Sequence, residues 1–242
     1  MRTLCALVAI AACSGLALAQ VTIQVPGAAD NTLYDDPAGQ LSNGAGTAMF
    51  AGNNAALGRH RALVRFDVAS AVPAGMTITG ARLRLVNSAA NLAPASVSLH
   101  RVLESWGEGS SVATGGQGRG APPEPGDATW LHRHFPGVLW STPGGSFNPV
   151  ASAATIIVGP AAYSWESPAL LADVQAFFAA PAANFGWLLL GDEAAASSAK
   201  RFSTREEPDR ARVPILEVTY VPAPPTLLAL VALGVASRRR RR

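Results

Sequence analysis

The sequence predicts an all-β domain, a jelly-roll β-sandwich with one short helix crossing its end. Three observations carry this. Apolar residues recur with period two in segment after segment, Gly- and Pro-containing turns separate those segments, and a single stretch repeats at helical spacing instead. Period-two alternation is what a strand buried on one face produces. Many short strands between turn signals favour a sandwich or jelly roll.

Taken in order, VTIQV (Val21 to Val25) alternates. In ALVRFDV (Ala62 to Val68), Val64, Phe66 and Val68 share one face, and Leu63, Arg65 and Asp67 share the other. TITGARLRLVN (Thr77 to Asn87) sets Leu83 and Leu85 against Arg82 and Arg84, and SVSLHRVL (Ser96 to Leu103) repeats the pattern. TIIV (Thr155 to Val158), GWLLLG (Gly186 to Gly191) and PILEVTY (Pro214 to Tyr220) complete the strands. The helix is SPALLADVQAFFAAP (Ser167 to Pro181). It opens on a capping Ser and a first-turn Pro, and Leu170, Leu171, Val174, Phe177 and Phe178 form its apolar stripe.

The two ends read as address segments. Arg2, the apolar run Leu4 to Ala12 and the small-x-small site Ala17 to Ala19 describe a secretory signal over residues 1–19. IAAC (Ile10 to Cys13) resembles a lipobox, the alternative processing site. At the other end, residues 221–242 join an apolar run to five arginines. Thr226 to Ser237 would make a helix of about 18 Å, and counting from Val221 gives about 26 Å. A bilayer core is about 30 Å thick, so spanning is marginal, with the arginines on the cytoplasmic side.

These ends also explain the charge. Arg2 and Arg238 to Arg242 account for six of the 19 Lys and Arg; the remaining 13 face 16 Asp and Glu. The body of the chain is therefore slightly acidic. A nucleic-acid binder needs a basic docking face, so nucleic acid is not an expected partner. Both cysteines, Cys5 and Cys13, lie in the leader, which leaves a domain over residues 20–220 to be held by its core or by bound ions.

Residues 104–153 form a long Gly- and Pro-rich loop holding Trp106, Trp130 and Trp140, with TGGQGRGAPPEPG (Thr114 to Gly126) as its flexible centre. Loops of this length are functional or disordered, and bulky aromatics argue for order. Tyr34, Trp106, Trp130 and Trp140 are candidates for stacking on sugar rings; a small core pinning the loop would use the same residues. Asp30, Asn31, Asp35 and Asp36, within ADNTLYDD, offer oxygens for a structural calcium ion. An ordinary Asp/Asn turn would read alike.

Catalysis finds less support. There is no Gly-x-Ser-x-Gly elbow. His132 and His134 could share a zinc ion, which would need a third ligand to be catalytic. Glu104, Glu108, Glu166, Asp173, Asp192, Glu193, Glu206 and Glu207 are scattered, and glycoside cleavage needs two carboxylates facing across a cleft.

Several of these stretches together resemble one family. ALVRFDVASAVPAGMTITGARLRLVN, SLHRVLESWGEG, DATWLHR, WSTPGG and KRFSTREEPDRARVPILEVTY, in that order, are similar to the DNRLRE-domain family over nearly all of Ala29 to Tyr220. Its Trp-x-Glu and Thr-Trp pattern falls on Trp106, Glu108, Thr129 and Trp130. Its closing Thr-Arg-Glu, Pro and last strand fall on Thr204, Arg205, Glu206, Pro214 and Ile215 to Tyr220. The resemblance implies a secreted bacterial jelly roll related to carbohydrate-binding modules, non-catalytic, some members taking acidic polysaccharides, often with bound calcium. The tail resembles the PEP-CTERM sorting signal, with Pro222-Ala223-Pro224 standing where Pro-Glu-Pro is expected. That resemblance implies an exosortase-type processing enzyme as a partner.

The expectation is a non-catalytic, secreted, surface-sorted domain that binds polysaccharide or extracellular matrix, with membrane contact through residues 221–242. The alternatives are a polysaccharide lyase or hydrolase using carboxylates or the His132–His134 pair, and a purely structural envelope or biofilm protein.

Overall fold

A computed structural model describes residues 19–56, 58–88 and 93–222. The expected signal over residues 1–19, apart from Ala19, and the expected sorting segment beyond Pro222 lie outside the described residues. The elements are, in chain order, strands β1 (Val21–Tyr34), β2 (Ala48–Asn53) and β3 (Arg59–Phe66), the single turn α1 (Val68–Ala71), and strands β4 (Met76–Asn87) and β5 (Ala95–Arg101). A small hairpin, β6 (His132–His134) and β7 (Val138–Leu139), lies inside the long loop. Strands β8 (Ala153–Ile157) and β9 (Ala161–Trp165), helix α2 (Pro168–Ala179), and strands β10 (Trp187–Leu190), β11 (Lys200–Ser203) and β12 (Ile215–Pro222) follow.

The fold is mostly β, and its main strands pair antiparallel in two layers. One layer joins β1, β12, β4, β9, β11 and β2. The other joins β1, β3, β10, β5, β8 and the end of β2. Strand β1 belongs to both. Val21 to Pro26 pair with β12, the register shifts between Gly27 and Ala29, and the remainder to Tyr34 pairs with β3. A bulge of this kind bends a strand and lets it cross from one layer to the next.

Between the layers lies the main core. Val64 and Phe66 from β3, Leu83 and Leu85 from β4, Trp187 and Leu189 from β10, and Leu216 and Val218 from β12 meet there. The alternation read in those segments is therefore the alternation of the buried face. Helix α2 closes one end as its stripe requires. The Ser167 hydroxyl accepts from the Leu170 N–H, Pro168 opens the first turn, and Leu170, Val174 and Phe177 are buried. Asp173 on the same helix accepts from the Trp187 indole N–H at 2.9 Å, tying α2 to β10.

Two expected boundaries move. Val68 does not continue β3: Asp67 accepts from the Ser70 N–H and starts α1 there. Val221 and Pro222, expected with the tail, extend β12 opposite Thr77 and Met76.

Candidate functional site

The long loop packs against the outer face of the β3 layer. Leu63 and Leu188 point away from the main core and meet Trp106, Ala128, Trp130 and Trp140 in a second apolar cluster. The loop backbone is stitched down as well. Ser42 and Ala121 exchange two backbone hydrogen bonds, and the Tyr34 hydroxyl donates to the Gln117 carbonyl at 2.8 Å. The Gly-rich centre therefore lies against the sheet.

The four candidate stacking residues lie inside, as the small-core alternative has it. Tyr34, Trp106, Trp130 and Trp140 are all buried, each 5% exposed or less. The indole N–H groups of Trp106 and Trp140 donate to the carbonyls of Phe185 and Thr129. The Arg59 and Arg61 guanidiniums each stand 4.8 Å from the Trp130 ring centroid, and that of Arg65 is 5.6 Å from Trp106. These rings bury too much apolar area to be left in water: the three tryptophans form the small core that holds the loop, and Tyr34 packs in a separate cluster with Ala48 and Phe50.

The four oxygen donors expected to share one ion also separate. Asp30 and Asn31 fall within β1, where successive side chains point to opposite faces. Asn31 donates to Ser42 Oγ and to the Glu108 carbonyl, and accepts from the Asn43 N–H. Asp35 pairs with Arg59 at 2.7 Å, and Asp36 accepts from the Gln40 N–H. Of the four, Asp30 is the one with a buried carboxylate oxygen that has no partner.

Asp30 instead meets two other carboxylates. Asp30, Glu108 and Glu206 bring ligand oxygens within 4.8 Å of one another, the one such group of three among the described residues. Three chain segments build it. Asp30 comes from β1, Glu108 from the extended WGEG stretch of the long loop, and Glu206 from the turn after β11. Glycine admits Glu108 so close: a Cβ at Gly44 would overlap the Glu108 carbonyl, and one at Gly109 would overlap the Asp127 side chain. Gly109 also has φ of +75°, a conformation costly for other residues.

Arg205 borders the group. Its Nε and Nη2 donate to the two oxygens of Glu108 at 2.6 and 2.7 Å, and Nε lies 3.0 Å from Glu206 Oε1. Its backbone N–H donates to Asp30 Oδ2 at 2.8 Å. Asp30 Oδ1 and Glu206 Oε2 are buried without a partner. Burial first, then the charge of Glu206, pushes the Asp30 carboxyl well above the usual carboxylate range. Burial likewise raises Glu206, against the pull of Arg205. Glu108 and Glu206 stood in the sequence only as scattered acids. The glycines flanking Glu108 were the local signal of a tight approach, but not of its target, Asp30.

His132 and His134 sit half-buried on β6. His132 Nδ1 is 3.0 Å from the Thr129 hydroxyl, and its ring packs edge-on to Phe135. Neither belongs to a metal-sized group among the described residues. On the outer side of the loop an open cleft of about 540 Å³ runs between Leu103, Phe147 and Pro149, with Glu104, Ser141 and Thr142 among its polar lining. Leu103 is 54% exposed there. Partial burial disfavours the Glu104 charge. The hydroxyls of Ser146 and Ser141 and the Ser141 N–H overcome that cost and hold the carboxyl below its ordinary value.

No family model matches the chain, and no curated protein matches it.

Proposed function

We propose that this protein is a non-catalytic, secreted and surface-sorted module that binds a polysaccharide or matrix polymer, and that the Leu103–Phe147–Pro149 cleft is where the polymer lies. The cleft is the observation that carries the reading. Sugar rings offer an apolar C–H face and a rim of hydroxyls. An open trough with an apolar lining and a few fixed polar groups suits both. Glu104 is held ionised at this rim and accepts from Ser141 at 2.7 Å. An anion there favours neutral, hydroxyl-rich sugars over carboxylated ones. The two-layer antiparallel sheet is read as a jelly roll, which agrees with the resemblance to the DNRLRE domains. Export through the leader and sorting through the tail, with an exosortase-type enzyme as partner and membrane contact through residues 221–242, rest on the sequence resemblance.

Affinity electrophoresis of the purified protein through gels cast with neutral and acidic polysaccharides tests this. Retardation by a neutral polymer that Leu103→Asp removes is the expected result. Unaltered mobility in every polymer would count decisively against it.

A further inference from the structure

We propose that Asp30, Glu108 and Glu206 form a binding site for one hard divalent cation, of the size and charge of calcium. The proposal goes beyond the polymer-binding reading and does not depend on it.

Geometry is the first argument. Calcium–oxygen bonds are about 2.3–2.6 Å long, so two ligands on opposite sides of the ion lie up to about 5 Å apart. One oxygen from each of the three carboxylates falls within 4.8 Å of the other two. Three carboxylates offer up to six oxygens, the lower end of what calcium takes. The donors are oxygen only, which suits a hard cation and not zinc or copper.

Burial supplies the second, independent argument. Asp30 is fully buried, its Oδ1 has no hydrogen-bond partner, and its carboxylate lies within 4.8 Å of an oxygen from each of the other two. Buried polar atoms are almost always satisfied, and an unsatisfied carboxylate oxygen is among the costliest exceptions. A cation between the three groups satisfies Asp30 Oδ1 and Glu206 Oε2 together.

Charge balance is the third. Three carboxylates beside one guanidinium leave two negative charges, which one divalent cation neutralises. Arg205 is the internal competitor, because its fork now occupies both Glu108 oxygens. Its side chain is 42% exposed, so solvent is open to it when a cation takes its place. The cage is also prebuilt. The three ligands stand on segments fixed by β1, by the loop core and by β11, so little ordering remains for the ion to impose.

The experiment is calorimetric titration of the full-length, chelator-treated protein with calcium chloride, then with magnesium chloride, and melting curves in both salts and in EDTA. Expected are one calcium per chain, weaker magnesium binding, and a melting temperature about 5 °C higher at a hundredfold excess of calcium over Kd. Asp30→Asn should abolish the calcium heat and the thermal shift while circular dichroism shows an intact fold. Arg205→Gln removes the competing cation and should tighten calcium binding by about tenfold. No calcium heat in either the wild type or Arg205→Gln overturns the proposal. Binding that survives unchanged in both Asp30→Asn and Glu206→Gln overturns the location. None of these readouts involves a polysaccharide, so failure here and failure of the polymer reading are told apart.

Discussion

Arg61 and Glu193 form a two-pronged ion pair, Nε to Oε1 at 2.6 Å and Nη2 to Oε2 at 2.9 Å, directly beside the Trp130 ring. Arg61 lies on β3 and Glu193 in the segment after β10, and the remaining Arg61 Nη1 donates to the Gly144 carbonyl of the packed loop at 2.8 Å. Each member is mostly buried. Removing one partner of such a pair leaves a charge that water cannot reach.

Glu193→Gln should therefore cost about 3 kcal/mol of unfolding free energy, measured by urea denaturation. Arg61→Lys should cost a comparable amount, because an ammonium cannot reproduce the two-pronged contact or the flat face toward Trp130. A loss below about 0.5 kcal/mol in both variants, the size of an exposed pair, would show that the loop is not anchored here.

Gly109 and Gly115 make a controlled comparison. Both have positive φ, but a Cβ at Gly109 would overlap the Asp127 carboxylate, while one at Gly115 meets open space. Gly115→Ala should cost only the backbone strain, about 1–2 kcal/mol. Gly109→Ala adds displacement of Asp127 and of the Glu108 segment, and should cost at least about 3 kcal/mol. Equal losses in denaturant melts would remove the claim that Glu108 is held by close packing.

His60 makes stability fall with acid. It is buried between the rings of Tyr34 and Phe50, with Asp35 the nearest opposing charge. Burial lowers its pKa to about 4, against the weaker upward pull of Asp35. A base whose folded pKa lies below its unfolded value of about 6.5 binds more protons when unfolded, so stability is full above that pH and is lost as pH falls toward 4. The loss amounts to about 3 kcal/mol over this window. His60→Leu should flatten that part of the curve relative to wild type in unfolding measured from pH 7 to pH 4. Parallel curves for the two proteins would refute it.

All five tryptophans are buried, Trp165 and Trp187 completely. Acrylamide should quench their fluorescence weakly, and a bound polysaccharide should leave the emission maximum unmoved. A shift of several nanometres on adding polymer would restore an aromatic stacking surface and place the ligand on the loop core instead of in the cleft.

Legibility in the sequence followed burial geometry. Strands β4, β5 and β12 bury one face, so Leu83 against Arg82 could be read directly, whereas in β3 Leu63 and Val64 are both buried, on opposite faces, in two different apolar clusters. Strand β2 is buried along its whole length, and its Ala48, Ala51 and Gly52 give no alternation to read. The second half of β1 was hidden likewise: Ala29 to Tyr34 are buried on both faces, and its Asp and Asn imitate a turn. The same strand explains why the four oxygen donors of ADNTLYDD do not gather at one point. Neighbouring acids in ADNTLYDD look like one cluster, but the pleat sends Asp30 and Asn31 in opposite directions. The true neighbours of Asp30 are 78 and 176 positions away, and no local spacing records such a meeting.

Strand β1 begins where β12 ends. Val21 faces Tyr220 across the sheet, and the two strands stay paired as far as Pro26 and Ile215. The entry and exit of the folded unit are thus side by side. The order of elements along the chain is therefore separable from their arrangement in space. A short linker joining Gln20 to Pro222 would close the backbone into a ring. It could then be reopened at the exposed turn around Gly75 without breaking a strand pairing. For the same reason, the domain could be inserted into a surface loop of a host protein as a guest, held by two neighbouring joints.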